Sequence, residues 1–306
     1  MAKPSSYHAG SGDMLADRRF DMAQQFHERG DFEAAADLMT QVREIVPDWP
    51  PAAFRLGEIL MAAGHVDGAA QAFNDYRQLD PADRMGATIK LALLGAEAAP
   101  LTLPNDYIAS LFDEYAPRFD RHLVETLEYD VPQTLATAIN RHRPEGLLRI
   151  LDLGCGTGLS GAALQARASW LEGIDLSPRM IAEAEKKGLY HRLHTGDMLA
   201  FMRTVRQPYD LIVAADVFIY TGDLMPVFKA ARPCLAPDGI LAFSLQESIE
   251  AAHFTLGPDH RYAYSLDYVT RCAEQTGLSA HEIKHSRLRR DAGQDVAGLI
   301  CVLGVR

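Results

Sequence analysis

The stretch LLRILDLGCGTGLSGAAL, residues 147–164, constrains the fold more than any other part of the chain. Leu147 to Leu153 is an apolar run broken only by Arg149 and Asp152, as a buried parallel strand requires. Gly154, Gly156 and Gly158 then turn the chain sharply into a helix starting near Leu159. Glycines here let the backbone approach a ligand closely, and a helix N-terminus favours a carboxylate or phosphate. Downstream, apolar runs alternate with helical segments, which predicts an α/β domain with a parallel sheet.

The glycine pattern alone is weak, because dinucleotide-binding enzymes use a close relative of it. Asp152 lies two residues before the first glycine, where an anion repels a pyrophosphate and attracts an ammonium group. Asp175 ends a second strand, WLEGID, 21 residues after Gly154, and can accept bonds from both ribose hydroxyls. TGDM, residues 195–198, ends a third strand and places Asp197 near an adenine amino group. A ligand with ammonium, carboxylate, ribose and adenine but no phosphate is S-adenosylmethionine. An unrelated nucleotide binder is the competing reading.

The runs ILDLGCGTG, GIDLSPRMIAEA, GDM, YDLIVAADVFIY and CLAPDGILAFS resemble the successive motifs of class I S-adenosylmethionine-dependent methyltransferases, in order and spacing, over roughly 105–306. LFDEYAPRFDRHLVETLEYDVP and RYAYSLDYV narrow the likeness to bacterial methyltransferases that carry tetratricopeptide repeats ahead of the catalytic domain. The resemblance implies a Rossmann-like seven-stranded domain whose last two strands, 279–288 and 296–305, form an antiparallel edge hairpin joined by RRDAGQD. It also implies that Asp152, Gly154, Cys155, Gly156 and Gly158 contact the methionine end of the cofactor. Asp175 and Leu176 would hold the ribose, Asp197 and Met198 the adenine, and Asp216 would close the pocket.

The first hundred residues repeat at a spacing of 34: Phe20 and Phe54, Met22 and Leu56, Phe26 and Leu60, Gly30 and Gly64, Ala35 and Ala69, Met39 and Phe73, Pro47 and Pro81. This resembles two tetratricopeptide repeats over about 16–83, with 83–95 as a capping helix. Two roles are open, a docking surface for a protein partner or a helical buttress. The expected organisation is a flexible stretch over 1–15, an all-α repeat domain over 16–98, a linker and helical lid over 99–146, and the methyltransferase domain over 147–306.

Composition excludes several classes. A net charge of −11 with no basic stripe disfavours nucleic acid. The one basic cluster, KHSRLRRD (284–291), reads as a solvated turn. No run approaches the roughly 20 apolar residues of a membrane span, and MAKPSSYHAGSGD lacks the apolar core of a signal peptide, so a cytoplasmic protein is expected. Cys155, Cys234, Cys272 and Cys301 form no CxxC pair, which argues against zinc and disulfides. His281 and His285, and His191 and His194, read as structural or exposed, and no metal is expected.

The methyl acceptor is less legible. ADVFIY replaces the [DN]PP[YF] turn of adenine and glutamine methyltransferases, and Pro233-Cys234 falls away from the cofactor's mouth. Asp216 and Asp223 are unpersuasive as a metal-dependent catechol site. Acceptor pockets on this fold form over the carboxyl ends of the strands. The segments there supply Tyr107, Tyr115, Phe119 and His122, then Phe218 and Tyr220, then the long aromatic loop 246–265. His260 is the candidate base, with Tyr220 or Tyr262 orienting the acceptor and His122 nearby. LFDEYAPRFDRHL, 111–123, is expected to be a lid, with Pro117 between two short helices and Tyr115 reaching the cofactor carboxylate. A small-molecule acceptor methylated at oxygen leads. A protein or carrier-bound substrate recruited by the repeats, and a non-catalytic interaction protein, are the alternatives.

Overall fold

A computed structural model of the chain describes residues 10–143, 145–291 and 293–306. It divides into two compact units, Ala2–Pro100 and Leu101–Arg306.

The first unit is helical. It comprises α1 (Met14–Glu28), α2 (Phe32–Ile45), α3 (Pro50–Ala62), α4 (Val66–Leu79) and the short α5 (Ala87–Leu93). The spacing of 34 works because it returns equivalent side chains to one apolar seam: Phe20 and Phe54, Ala35 and Ala69, and Met39 and Phe73 are all buried. Gly30 and Gly64 end the first helix of each pair at φ +80°, a conformation glycine adopts without strain. Met22 departs from the pattern, being exposed where Leu56 is buried, because no helix precedes α1 among the described residues to cover it. The expected capping helix is α5, whose first amides, Ala87 and Thr88, donate to Asp83. Of the stretch expected to be flexible, residues 1–9 lie outside the described residues. Asp13 caps α1 through bonds from the Leu15 and Ala16 amides.

The second unit begins with α6 (Asn105–Tyr115), a 3-10 turn (Ala116–Arg118), the single turn α7 (Phe119–Arg121), a π turn (His122–Thr126) and α8 (Val131–His142). The α/β part follows as β1 (Leu148–Leu153), α9 (Leu159–Leu164), β2 (Ala168–Asp175), α10 (Pro178–Lys187), β3 (Arg192–Thr195), α11 (Met198–Met202), β4 (Tyr209–Ala214), α12 (Met225–Ala231) and β5 (Leu235–Glu247). It closes with β6 (Phe254–Leu256), β7 (Tyr262–Tyr264), α13 (Leu266–Gln275), β8 (Leu278–Asp291) and β9 (Gln294–Val305). Strands β3-β2-β1-β4-β5 are parallel neighbours, β9 runs antiparallel to β5, and β8 pairs outside β9.

That is the seven-stranded order the resemblance implies, with two additions. The long loop after β5 is not irregular: β6 and β7 form a short antiparallel ribbon, and β7 continues the sheet beside Gln246 and Glu247. KHSRLRRD is not a solvated turn. It lies within β8, paired to β9 nearly to its end, with Leu288 and Arg289 buried. A run with a single apolar residue on an edge strand looks like turn composition until the pairing partner is known.

The segment expected to be a lid falls within the Leu101–Arg306 unit. The chain ahead of α6 is pinned to the loop after β4, with Leu103 N–H donating to Tyr220 O at 3.1 Å and Thr102 bridging Thr221.

Candidate functional site

The parallel strands β1, β2 and β4 end on one edge, and the turns that follow them carry the candidate residues. Asp152 is 1% exposed. Its Oδ2 accepts from the Tyr190 hydroxyl at 2.6 Å, while Oδ1 is buried with no hydrogen-bond partner among the described residues. Burial, with a contribution from Asp175, pushes this carboxyl up to about 7, against the lowering effect of the Tyr190 bond. Gly154 has φ +60°, and a Cβ there would lie 2.5 Å from Val217 of the turn after β4. Gly158 (φ +92°) opens α9. Cys155 is buried, its amide donating to Ile174 O at 3.0 Å, and burial drives its thiol far up. That makes it a packing residue with a useful backbone and no nucleophile.

Asp175 ends β2 half-buried. Its two oxygens accept from the amides of Gly156 (2.9 Å) and Ser177 (2.8 Å), yet burial still raises it to about 6. Leu176 follows it, also half-buried. Asp197 uses Oδ1 to cap α11, accepting from Ala200 N–H at 2.8 Å, with Met198 as the first helical residue. Its Oδ2 lies 3.5 Å from the Asn105 amide nitrogen.

The lid segment is held against this edge from both sides. Asp113 accepts from Ser177 Oγ at 2.5 Å and from Arg179 N–H at 3.1 Å. Asp120 accepts from the Thr157 hydroxyl and pairs with Lys187 at 2.5 Å. The Phe119 ring is the nearest group to a Cβ built on Gly156, at 3.9 Å. Pro117 lies in the 3-10 turn between α6 and α7, as a helix break should. The Tyr115 hydroxyl pairs with His122 Nδ1, so its nearest polar contact is another lid residue.

Tyr220, Phe112, Phe119, Tyr115 and His122 form a chain of aromatic contacts with centroids 5.0–6.1 Å apart. Asp216 stands at φ +55° just after β4, exchanging bonds with Ser244: its amide donates to Ser244 Oγ (2.8 Å), which donates back to Asp216 Oδ1 (2.6 Å). Its Oδ2 accepts from Arg289 Nη1 at 3.2 Å. Arg289 and Arg261, both buried, were not singled out from the sequence. For Arg261, burial alone would depress the guanidinium, but Tyr220, Asp216 and Asp259 outweigh it and keep its pKa raised.

The four candidate catalytic residues do not form one constellation. His122 and Tyr220 stand at the two ends of the aromatic chain. His260 sits at φ +60° in the β6–β7 turn, its amide donating to Gly257 O and its Nδ1 2.9 Å from the Tyr107 hydroxyl. Tyr262 is fully buried, packed edge-on to Phe254 and against Gly222. Tyr262, expected to orient an acceptor, thus points inward from β7. Among the described residues, no group of three or more His, Cys, Asp or Glu is arranged to hold a metal, and no helix is long and apolar enough to cross a membrane.

The sheet order and glycine turn are those of the class I S-adenosylmethionine-dependent methyltransferase fold, and a helical repeat unit precedes them in the sequence. Residues 150–239 match the family model described as methyltransferase domain, and residues 26–93 match that of the tetratricopeptide repeat. Human methyltransferase-like protein 27 is 39% identical over 85 residues, 27% of this chain and 34% of that protein. Trans-aconitate 2-methyltransferase of Escherichia coli is 32% identical over 178 residues, 56% of this chain and 62% of that protein. The chain therefore spans less than two thirds of the length of the curated relatives it matches. The crystal structure of 1,6-didemethyltoxoflavin-N1-methyltransferase from Burkholderia thailandensis superposes with a TM-score of 0.51 at 16% identity, covering 68% of this chain and 93% of that one, a likeness of fold.

Proposed function

We propose that the Leu101–Arg306 unit transfers a methyl group from S-adenosylmethionine to an oxygen of a small-molecule acceptor held beneath the lid. The observation that carries this reading is Asp152 Oδ1, a buried carboxylate oxygen with no partner at the end of β1. A desolvated, raised carboxyl is relieved by a cation, and the ammonium of the cofactor's methionine moiety is one.

In this reading the Gly154–Gly158 turn, with Cys155, cradles the methionine end. Asp175 and Leu176 hold the ribose, and Asp197 and Met198 lie along the adenine. When bound, the cofactor supplies an electrophilic methyl group on a sulfonium. The chain's own task is to align the acceptor and exclude water, through Phe112, Phe119 and Tyr115 of the lid and Tyr220 after β4. Asp216 fixes that turn rather than the acceptor, its oxygens already committed to Ser244 and Arg289. His122, tied to Tyr115, is better placed than His260 to serve an acceptor that must lose a proton.

The names of two relatives, malonyl-[acyl-carrier protein] O-methyltransferase and ubiquinone biosynthesis O-methyltransferase, support transfer to oxygen. The repeat segment supports a second reading, in which a protein or carrier presents the acceptor. A full-length chain that methylates a free acceptor as fast as its carrier-bound form would set that second reading aside. For the main reading, the test is calorimetry with S-adenosylhomocysteine. Wild type should bind at micromolar levels, and Asp152→Asn should bind at least about tenfold more weakly. No binding by folded wild type would overturn it.

A further inference from the structure

Arg261 is 6% exposed, yet its Nε and Nη1 have no hydrogen-bond partner among the described residues. The nearest carboxylate to Nη1 is Asp259, at 3.8 Å, beyond hydrogen-bond range. Arg289, 3% exposed, donates from Nη1 to Asp216 (3.2 Å) and from Nη2 to Gln246 Oε1 (3.4 Å), and its Nε is also unpartnered. Tyr220, Asp216 and Asp259 together stabilise the Arg261 charge, and Arg289 and Ser244 already occupy the half-buried Asp216. Two buried Arg261 donors, Nε and Nη1, are still left without an acceptor, a cost that a bound anion would relieve.

Its surroundings place Arg261 at the acceptor side of the site. Its neighbour His260 lies 2.9 Å from the Tyr107 hydroxyl of α6, and Tyr220 accepts a hydrogen bond from its guanidinium. Tyr220 in turn packs on Phe112 of α6. The β6–β7 ribbon positions the residue: Gly257 N–H donates to Arg261 O at 2.8 Å, and Arg261 N–H to Asp259 Oδ1 at 3.3 Å. A guanidinium carries its donors in a planar fork that matches a carboxylate, where an ammonium would offer only a point charge.

We infer that Arg261, backed by Arg289, anchors the acceptor through a carboxylate, so that the substrate class is an organic acid. This rests on the methyltransferase reading above and deepens it. The polarity is consistent across the site: carboxylates Asp152 and Asp175 face the cationic cofactor, and arginines face the anionic acceptor.

The test uses the full-length protein saturated with S-adenosylhomocysteine and titrated by calorimetry with a panel of small mono-, di- and tricarboxylic acids and their amides. At least one acid is expected to bind, with its amide at least about tenfold weaker. Arg261→Gln should weaken the acid at least about tenfold, and Arg261→Lys by less, with S-adenosylhomocysteine affinity unchanged within about twofold in both. That unchanged affinity also reports a folded site. If no acid binds the complex, if acid and amide bind alike, or if folded Arg261→Gln keeps wild-type acid affinity, the carboxylate anchor is wrong. The acid-against-amide comparison on wild type decides the matter even where Arg261→Gln does not fold. If wild type fails to bind S-adenosylhomocysteine, the methyltransferase reading falls first.

Discussion

The Tyr190 hydroxyl donates to Asp152 Oδ2 at 2.6 Å from a ring that occupies the space Cβ atoms on Gly158, Gly161 and Gly173 would fill. Three glycines, at the start of α9, within α9 and in β2, are thus explained by one tyrosine, whose hydroxyl holds a single carboxylate with its other oxygen free.

The first prediction concerns pH. The Asp152 carboxyl titrates near 7 in the folded protein, against about 3.9 when unfolded. The folded state therefore keeps a proton that the unfolded chain loses between those values. By linkage, this group's contribution to stability falls as pH rises from about 4 to about 7, by a few kcal/mol at most. An ammonium group is held best by the ionised carboxylate, so S-adenosylhomocysteine affinity should rise about tenfold between pH 6 and pH 8 and then level off. Asp152→Asn should flatten both curves. Calorimetry and thermal melts across that range measure them, and an affinity independent of pH in wild type would contradict the argument.

A second prediction isolates the lid. Asp113 and Asp120 fasten it to Ser177, Arg179, Thr157 and Lys187, and the Ser177 and Thr157 hydroxyls are buried. The double variant Asp113→Ala, Asp120→Ala should lower the melting temperature by several degrees, because a buried hydroxyl left without its acceptor costs about 1–3 kcal/mol. It should raise amide exchange across 105–127 and weaken S-adenosylhomocysteine about tenfold, mainly through faster release. Unaltered exchange would mean that aromatic packing alone holds the segment.

What could be read from the sequence was whatever is local. The Gly154–Gly158 turn, Asp152, Asp175 and the helix break at Pro117 sit within a few residues of the elements they punctuate. The 34-residue repeat is legible because Phe20 and Phe54 or Ala35 and Ala69 do the same work twice. What escaped is set by distant partners. Arg261 and Arg289 look like solvated charges until β7 and β8 carry them inside, and Tyr190 looks like loop until its ring reaches Asp152. His260 was singled out by residue type, and its partner Tyr107, 153 residues away, could not be read from the sequence.

The third prediction tests why the glycine turn is glycine. An alanine Cβ at Gly154 would lie 2.5 Å and 2.8 Å from the two methyls of Val217, on backbone already at φ +60°. The left-handed conformation costs about 1 kcal/mol and the overlap about 1–3 more. Gly154→Ala should therefore destabilise the α/β unit by about 2–4 kcal/mol, lowering its melting temperature by several degrees. Pairing it with Val217→Ala should recover the steric part and leave the conformational part, a non-additivity that a double-mutant cycle reads directly.

The repeat unit offers a matched comparison of the same two costs. Gly30 and Gly64 both stand at φ +80° with nothing within 4 Å of a built Cβ, so alanine at either pays conformation alone. Each should lose about 1 kcal/mol, and the two losses should agree, since the repeats place both residues at the same helix end. Gly57 lies within α3 at no such angle, but its Cβ would meet the Phe73 ring at 2.6–2.9 Å. Gly57→Ala gains helix propensity worth about 1 kcal/mol and must displace a fully buried ring. If packing dominates, Gly57→Ala is the most destabilising of the three in urea melts, and Gly57→Ala with Phe73→Leu recovers part of the loss. An equal or smaller loss at Gly57 would mean that Phe73 can shift along the α3–α4 seam, and that the close approach of these helices is a consequence of the glycine rather than a requirement for it.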